Sequence, residues 1–167
     1  MSKREKYKLF NVKDDYLDYL RSKDSHIPKN KSEGKTRPFV GVVIKEGDHK
    51  YIAPLSSKIH KTQTDFVIKG LNENKEIEDK ATVRFAYMFP IIDEVLIEID
   101  LDKIEQEDYK YGSLLKLEIN FINAHKEQIR KKARMTYKNE TNNIANFKGK
   151  CCNFKLLEDA SKQYPNK

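Results

Sequence analysis

Apolar residues follow two rhythms along this chain. Up to Met88 they come in short runs of strand length separated by polar turns; from Glu105 onward they recur every three or four positions. Residues 7–12 predict a first strand. Asp14-Asp15 opens a helix through about Ser22, with Tyr16, Leu17, Tyr19 and Leu20 on its apolar side. Residues 23–38 are polar and basic, with two prolines and a glycine, and predict a long mobile loop with almost nothing for a core. Residues 39–44 predict a buried strand. Turn chemistry at 46–49 leads into a second hairpin arm, residues 50–54, that stops at Pro54. Further strands are expected at 65–69 and 81–88, with a polar loop over 70–80, while residues 91–101 fit both periods.

Leu114, Leu117, Phe121, His125, Ile129, Ala133 and Tyr137 form one stripe. They predict a long helix from about Glu105, bent near Asn123-Ala124. A short strand around Cys151 and a last helix over 153–164 complete the chain. Strands mixed with segregated helices indicate an α+β fold, and 167 residues suit one domain over 1–167.

Charge sharpens this picture. Lys and Arg outnumber Asp and Glu by 33 to 26, a net charge of +7 and a pI near 9.2. Acidic residues gather at Glu98, Asp100, Asp102, Glu105, Glu107 and Asp108, and basic ones at Lys126, Arg130, Lys131, Lys132, Arg134 and Lys138. Such a polarised surface suits a polyanion, although a charge run also serves as a plain solvated face. No apolar run reaches the roughly 20 residues that span a bilayer. The charged start Met1-Ser2-Lys3-Arg4-Glu5-Lys6 has no apolar stretch behind it, so a cytoplasmic protein is expected. The adjacent Cys151-Cys152 pair lacks metal-site spacing and reads as two small buried residues.

Candidate chemistry concentrates in Lys50-Tyr51-Ile52-Ala53-Pro54-Leu55-Ser56-Ser57-Lys58-Ile59-His60. Two hydroxyls, an ammonium and an imidazole follow an apolar strand within five positions. Ser56 and Ser57 can donate to phosphoryl oxygens, Lys58 can neutralise charge there, and His60 can titrate. The same residue types also suit an ordinary polar strand end. His125, on the apolar stripe, and His49, in a turn, read as structural. Tyr109, Tyr111 and Tyr137 can stack on bases or pack in a core. No Gly-rich phosphate loop, metal-ligand cluster or nucleophile elbow occurs in the sequence, so neither a cofactor nor a metal is expected. RNA carries its own nucleophile in the 2′-hydroxyl, and a base, an acid and oxyanion donors suffice to cleave it.

These pieces resemble the ToxN/AbiQ/CptN-like family, the endoribonuclease toxins of type III toxin–antitoxin systems. The resemblance rests on Phe39-Val40-Gly41-Val42-Val43, on Lys50-Tyr51-Ile52-Ala53-Pro54-Leu55-Ser56-Ser57-Lys58 with His60 close behind, and on the Cys151–Glu158 block. It runs from about Leu9 to Leu157. It implies a highly twisted antiparallel sheet with flanking helices, similar to the MazF/Kid toxin fold. It further implies sequence-preferring, metal-independent RNA cleavage that leaves a 2′,3′-cyclic phosphate and a 5′-hydroxyl. The implied partners are cellular or phage RNA substrates and a small repeated pseudoknot antitoxin RNA, which the toxin processes and which inhibits it in a closed protein–RNA assembly. Phage defence or plasmid maintenance is the implied setting.

Carried onto this sequence, Ser56 and Ser57 match the paired hydroxyls. Lys58 takes the place of the motif's lysine after a one-residue shift, because Lys58-Ile59 stands where the motif has Pro-Lys. Arg37 matches the basic position before the Phe39 strand, and His60 the histidine closing the motif. Glu33 stands where some members have tyrosine. The catalytic candidates are therefore Ser57, Lys58, Ser56, Arg37 and His60, with Lys58 needing burial or nearby cations if it is to accept a proton. Candidates for RNA contact are Lys29, Lys31, Lys35, Arg37, Lys58 and Lys61, together with Arg130, Lys131, Lys132 and Arg134 on the helix. A non-catalytic basic RNA-binding module, or less readily a duplex-DNA binder, would use the same surface.

Overall fold

The structure, a computed structural model, describes residues 6–29, 31–32 and 35–165. In chain order it forms β1 (Lys8–Val12), α1 (Asp14–Lys23), β2 (Lys31–Ser32), β3 (Lys35–Thr36), β4 (Phe39–Glu46), β5 (His49–Ser56), β6 (Asp65–Leu71) and β7 (Ile77–Arg84). Then come β8 (Phe89–Ile91), β9 (Leu96–Glu98), α2 (Leu101–Glu107), α3 (Tyr109–Ala124), α4 (Lys126–Thr141) and α5 (Phe154–Lys162). The architecture is α+β, with a seven-stranded antiparallel sheet in the order β6-β7-β5-β4-β1-β9 and β8 attached to β5. Helix α3 packs on β6, α4 on β4, and α5 on β8 and α1. No helix among the described residues is long and apolar enough to cross a membrane.

The central strands are buried on both faces, as their near-continuous apolar sequence requires. Phe39, Val40 and Val43 of β4 and Tyr51, Ile52 and Ala53 of β5 are all in the core. Strand β5 does not stop at Pro54 but continues through Ser56. The proline costs no ladder bond because it falls between two partners: Lys50–Ile52 pair with β8, and Leu55 and Ser56 pair with β7. On the other edge Leu55 N–H donates to the Pro38 carbonyl at 3.0 Å.

Other expectations change for equally local reasons. The segment over 23–38 is not all loop: β2 and β3 form a small hairpin, and Ile27 enters the core. Glu33 lies outside the described residues. The loop over 70–80 shrinks to a turn, Asn72 to Glu76, because the amphipathic ends of β6 and β7 keep pairing as far as Leu71 and Ile77. Strand β7 ends at Arg84, and Phe85–Tyr87 turn as a 3₁₀ helix. The ambiguous 91–101 region divides into the end of β8, a 3₁₀ turn at Asp93–Val95, and β9. The long helix is three, since Asp108 caps α3 by accepting the Tyr111 N–H and His125 separates α3 from α4. Cys151 and Cys152 are buried and unbridged as expected, but they sit in a bend rather than a strand.

The buried face of α3 is Leu115, Glu118, Ile119 and Ile122, one step round from the predicted stripe, whereas α4 buries Ile129, Ala133 and Tyr137 as predicted. Helix α2 folds back onto α3 at Gly112, where a Cβ would stand 2.4 Å from the Glu105 Cα. That close approach holds the start of α3 in place. Gly112→Ala must push the two helix backbones apart and is expected to lower the unfolding free energy by about 1–3 kcal/mol, as for other overpacked contacts, measured by urea denaturation.

Candidate active site

Past Ser56 the chain leaves the sheet in a turn that is pinned from two sides. The Lys58 N–H donates to Ser56 Oγ at 3.1 Å, a local hydroxyl-to-backbone turn. On the neighbouring strand β7, fully buried Thr82 uses one hydroxyl twice: it donates to the Lys58 carbonyl at 2.9 Å and accepts the His60 N–H at 3.0 Å. The pairing of Ser56 with Thr82 in the sheet register sets that hydroxyl under the turn. Ser56 is buried, while Ser57 and Lys58 are exposed.

The turn forms one wall of a cavity of about 550 Å³, inside the range of roughly 300–1,000 Å³ usual for small-molecule sites. Ser56, Ser57, Lys58 and His60 line it from the β5 side, and Arg37 lines it from the segment before β4. All five catalytic candidates therefore face one space. Arg37 is half-buried, and its Nε donates to the Lys29 carbonyl at 3.0 Å, which ties the two ends of the β2–β3 segment together. Burial lowers the pKa of its guanidinium, with no effect on its charge in the working range.

His60 is the titratable group of the turn whose environment matters most. Burial first, then the positive charge of Arg84, lower its pKa below the ordinary 6.5 against an opposing pull from Asp65, and Lys58 adds a smaller effect in the lowering direction. Its imidazole is thus mainly neutral near pH 7, the form that accepts a proton. Lys58 lacks the burial that a proton-accepting lysine was expected to need: its side chain is exposed, and its ammonium has no ion pair among the described residues.

Several cavity residues were not singled out in the sequence. Arg84 pairs with Asp65 at 3.0 Å and lies 4.8 Å from the Tyr87 ring centroid, so cation and ring hold each other at the wall. His26, also in the lining, contacts Asp24 through Nδ1 at 2.7 Å and the Gly149 carbonyl through Nε2 at 3.1 Å. Glu118 of α3 lines the cavity, yet only 4% of its surface is exposed. Burial raises its pKa to about 8, against an opposing pull from Lys80. An acidic residue on the apolar face of a helix was the one signal that pointed to it. Tyr111 also lines the cavity, Tyr137 is core, and Tyr109 stands exposed away from it.

Lys29, Lys61, Arg130, Lys131, Lys132 and Arg134 are not in the lining. Lys61 pairs with Asp79, Arg130 with Glu127, and Arg134 with Glu46 near the opposite end of the β4–β5 hairpin. Lys132 donates to the Asp65 carbonyl at 2.9 Å, and Lys131 is exposed on α4. Lys29 is exposed beside the Arg37 tie, and Lys31 and Lys35 lie in the β2–β3 hairpin. Among the described residues no three His, Cys, Asp or Glu side chains gather as metal ligands.

The chain and its fold are similar to known proteins. Residues 8–162 match the family model described as "Toxin ToxN, type III toxin-antitoxin system". The chain belongs to the ToxN family. It is 30% identical to Endoribonuclease ToxN of Bacillus thuringiensis subsp. kurstaki, over 98% of this chain and 87% of that protein. It is 28% identical to Endoribonuclease ToxN of Pectobacterium atrosepticum, over 94% of this chain and 93% of that one. A solved bacterial type III toxin, described as selectively inhibited by a non-coding RNA pseudoknot, superimposes with a TM-score of 0.86 at 27% identity, covering 98% of this chain and 100% of its own. The lactococcal anti-phage endoribonuclease AbiQ shares the fold at a TM-score of 0.82 and 23% identity, over 96% of this chain and 98% of AbiQ. The ToxN-family match spans the cavity-lining residues from His26 through Glu118.

Two measurements probe this construction. Thr82→Val removes the hydroxyl under the turn and strands a donor and an acceptor; it is expected to cost about 1–3 kcal/mol of unfolding free energy in urea titrations. Glu118 binds its proton more tightly folded than unfolded, so its contribution to stability is present below pH 4.5 and is lost as pH rises towards 8. Glu118→Gln is therefore expected to gain stability relative to wild type between pH 5 and pH 8, read from thermal unfolding at the two values.

Proposed function

We propose that this protein is a metal-independent endoribonuclease toxin of a type III toxin–antitoxin system, working in the cytoplasm. It would process, and be inhibited by, a repeated pseudoknot RNA. The observation that carries the reading is the convergence of Arg37 with Ser57, Lys58 and His60 on one cavity, within a chain of the ToxN family. The relatives' names as endoribonucleases, and the described pseudoknot inhibition of the solved toxin, support it.

In this reading the RNA supplies the nucleophile. Neutral His60 takes the proton from a 2′-hydroxyl as that oxygen bonds to the adjacent phosphorus. The bond to the 5′-oxygen breaks, water protonates the departing oxygen, and the products are a 2′,3′-cyclic phosphate and a 5′-hydroxyl. Ser57 O–H donates to a non-bridging oxygen while Lys58 offsets the charge growing there, and Ser56, held in the turn, supports both. Arg37 grips a neighbouring phosphate. The basic residues of the β2–β3 hairpin (Lys29, Lys31, Lys35), Lys61, and the α4 face (Arg130, Lys131, Lys132, Arg134) would meet the antitoxin, and closing the protein–RNA assembly would cover the cavity. The charges favour RNA through counterion release, so affinity falls with salt.

Incubation with RNA in EDTA tests this directly. Cleavage is expected, with cyclic phosphate ends. Ser57→Ala and Lys58→Ala should each lower kcat/KM by about 100-fold or more, the scale of a lost transition-state donor. RNA binding without cleavage would point instead to a binding module. The rate should fall on the acid side through a pKa below 6.5, the direction in which His60 is shifted, and His60→Ala should abolish that limb.

A further inference from the structure

Glu118 has a chemistry that phosphate binding does not use. It is 4% exposed, it lines the cavity, and its carboxyl has no hydrogen-bond partner among the described residues. Among the described residues only Asn11 Oδ1 is a fully enclosed side-chain atom without a partner, so the Glu118 oxygens keep contact with open cavity space. Lys80 on β7 acts on it across space, but the Lys80 ammonium is bound to Glu78 at 3.0 Å. The free carboxyl therefore looks into the cavity.

Depth separates its role from that of the β5 turn. Ser57 and Lys58 are exposed parts of the lining, where a phosphate arriving from solvent would be met by cations. A carboxyl on the buried side repels a phosphate but suits the edge of a nucleobase. Two aromatic side chains line the same cavity: Tyr87, steadied by Arg84, and Tyr111, two residues into α3. Rings beside a polar floor are what a splayed-out RNA base requires, stacking on one and hydrogen-bonding to the other.

We infer that Glu118 is a specificity-determining residue that reads the edge of a nucleobase flanking the scissile phosphate, with Tyr87 and Tyr111 as its stacking walls. This rests on the ribonuclease reading above. Because burial favours the protonated acid, Glu118 presents one O–H donor beside one carbonyl acceptor, a pair that matches a donor and an acceptor side by side on a base edge.

The test uses the full chain and short RNA oligonucleotides that differ only in the nucleotide beside the cleaved bond: the four bases and an abasic residue. Wild type should prefer one base, and removing that base should lower kcat/KM by about 10-fold or more. Glu118→Ala should erase the preference, so that the abasic and preferred substrates are cut alike. Glu118→Leu, which fills the volume without polar atoms, should do the same if the alanine variant folds poorly. Glu118→Gln keeps a donor beside an acceptor and should keep the preference. A preference unmoved by Glu118→Leu overturns the inference and leaves the ribonuclease reading intact. An equal loss on every substrate in Glu118→Gln also overturns it, because that is the behaviour of a proton donor. No cleavage of any oligonucleotide by wild type would overturn the ribonuclease reading itself.

Discussion

Strand β5 is bonded on both edges, and the candidate site depends on that constraint. One edge runs against β4 from His49 to Pro54; the other is shared between β8 and β7. A strand held this way cannot slip by one residue without exchanging every core residue from Tyr51 to Leu55 between its two buried faces. The end that carries Ser56 is fixed as a consequence, and the turn beyond it inherits a stable origin. Thr82, delivered by the register of β7, then sets the path from Lys58 to His60 with a single hydroxyl.

The far side of β5 is fixed by a buried polar knot. Glu158 Oε2 accepts from Tyr51 O–H at 2.8 Å and from Tyr137 O–H at 2.6 Å, joining β5, α4 and α5. The rings of Tyr51, Tyr137 and Phe154 close around it, the last two stacked at 5.6 Å. Burial, with Glu158 beside them, raises the pKa of both phenols, so they remain donors throughout the working range. A network with all its partners supplied fixes a unique packing. Removing one partner would leave another group buried and unpaired.

Within the cavity the same force acts in opposite directions on two groups. Burial and neighbouring cations keep His60 neutral, while burial keeps Glu118 protonated. Two titratable groups displaced towards their neutral forms, in a space bordered by Arg37, Lys58 and Arg84, suit a site that must admit a polyanion yet hold neutral hydrogen-bonding groups for it.

The sequence by itself determined strands β1, β4, β5, β6 and β7, the α1 and α5 helices, and the cluster from Ser56 to His60, because these follow from local periodicity and from residue types close together in the chain. It also carried the family motif, since Phe39 to Val43 and Lys50 to Lys58 are contiguous blocks. Only the tertiary structure decided which distant groups meet them. Pro54 reads locally as a strand end, yet a change of partner lets the strand pass through it. Arg37, Arg84 and Glu118 reach the cavity from the segment before β4, from β7 and from α3, and Thr82 of β7 pins the turn beside them. Their approach is set by sheet register and helix packing, interactions between residues far apart in sequence, which no local pattern encodes.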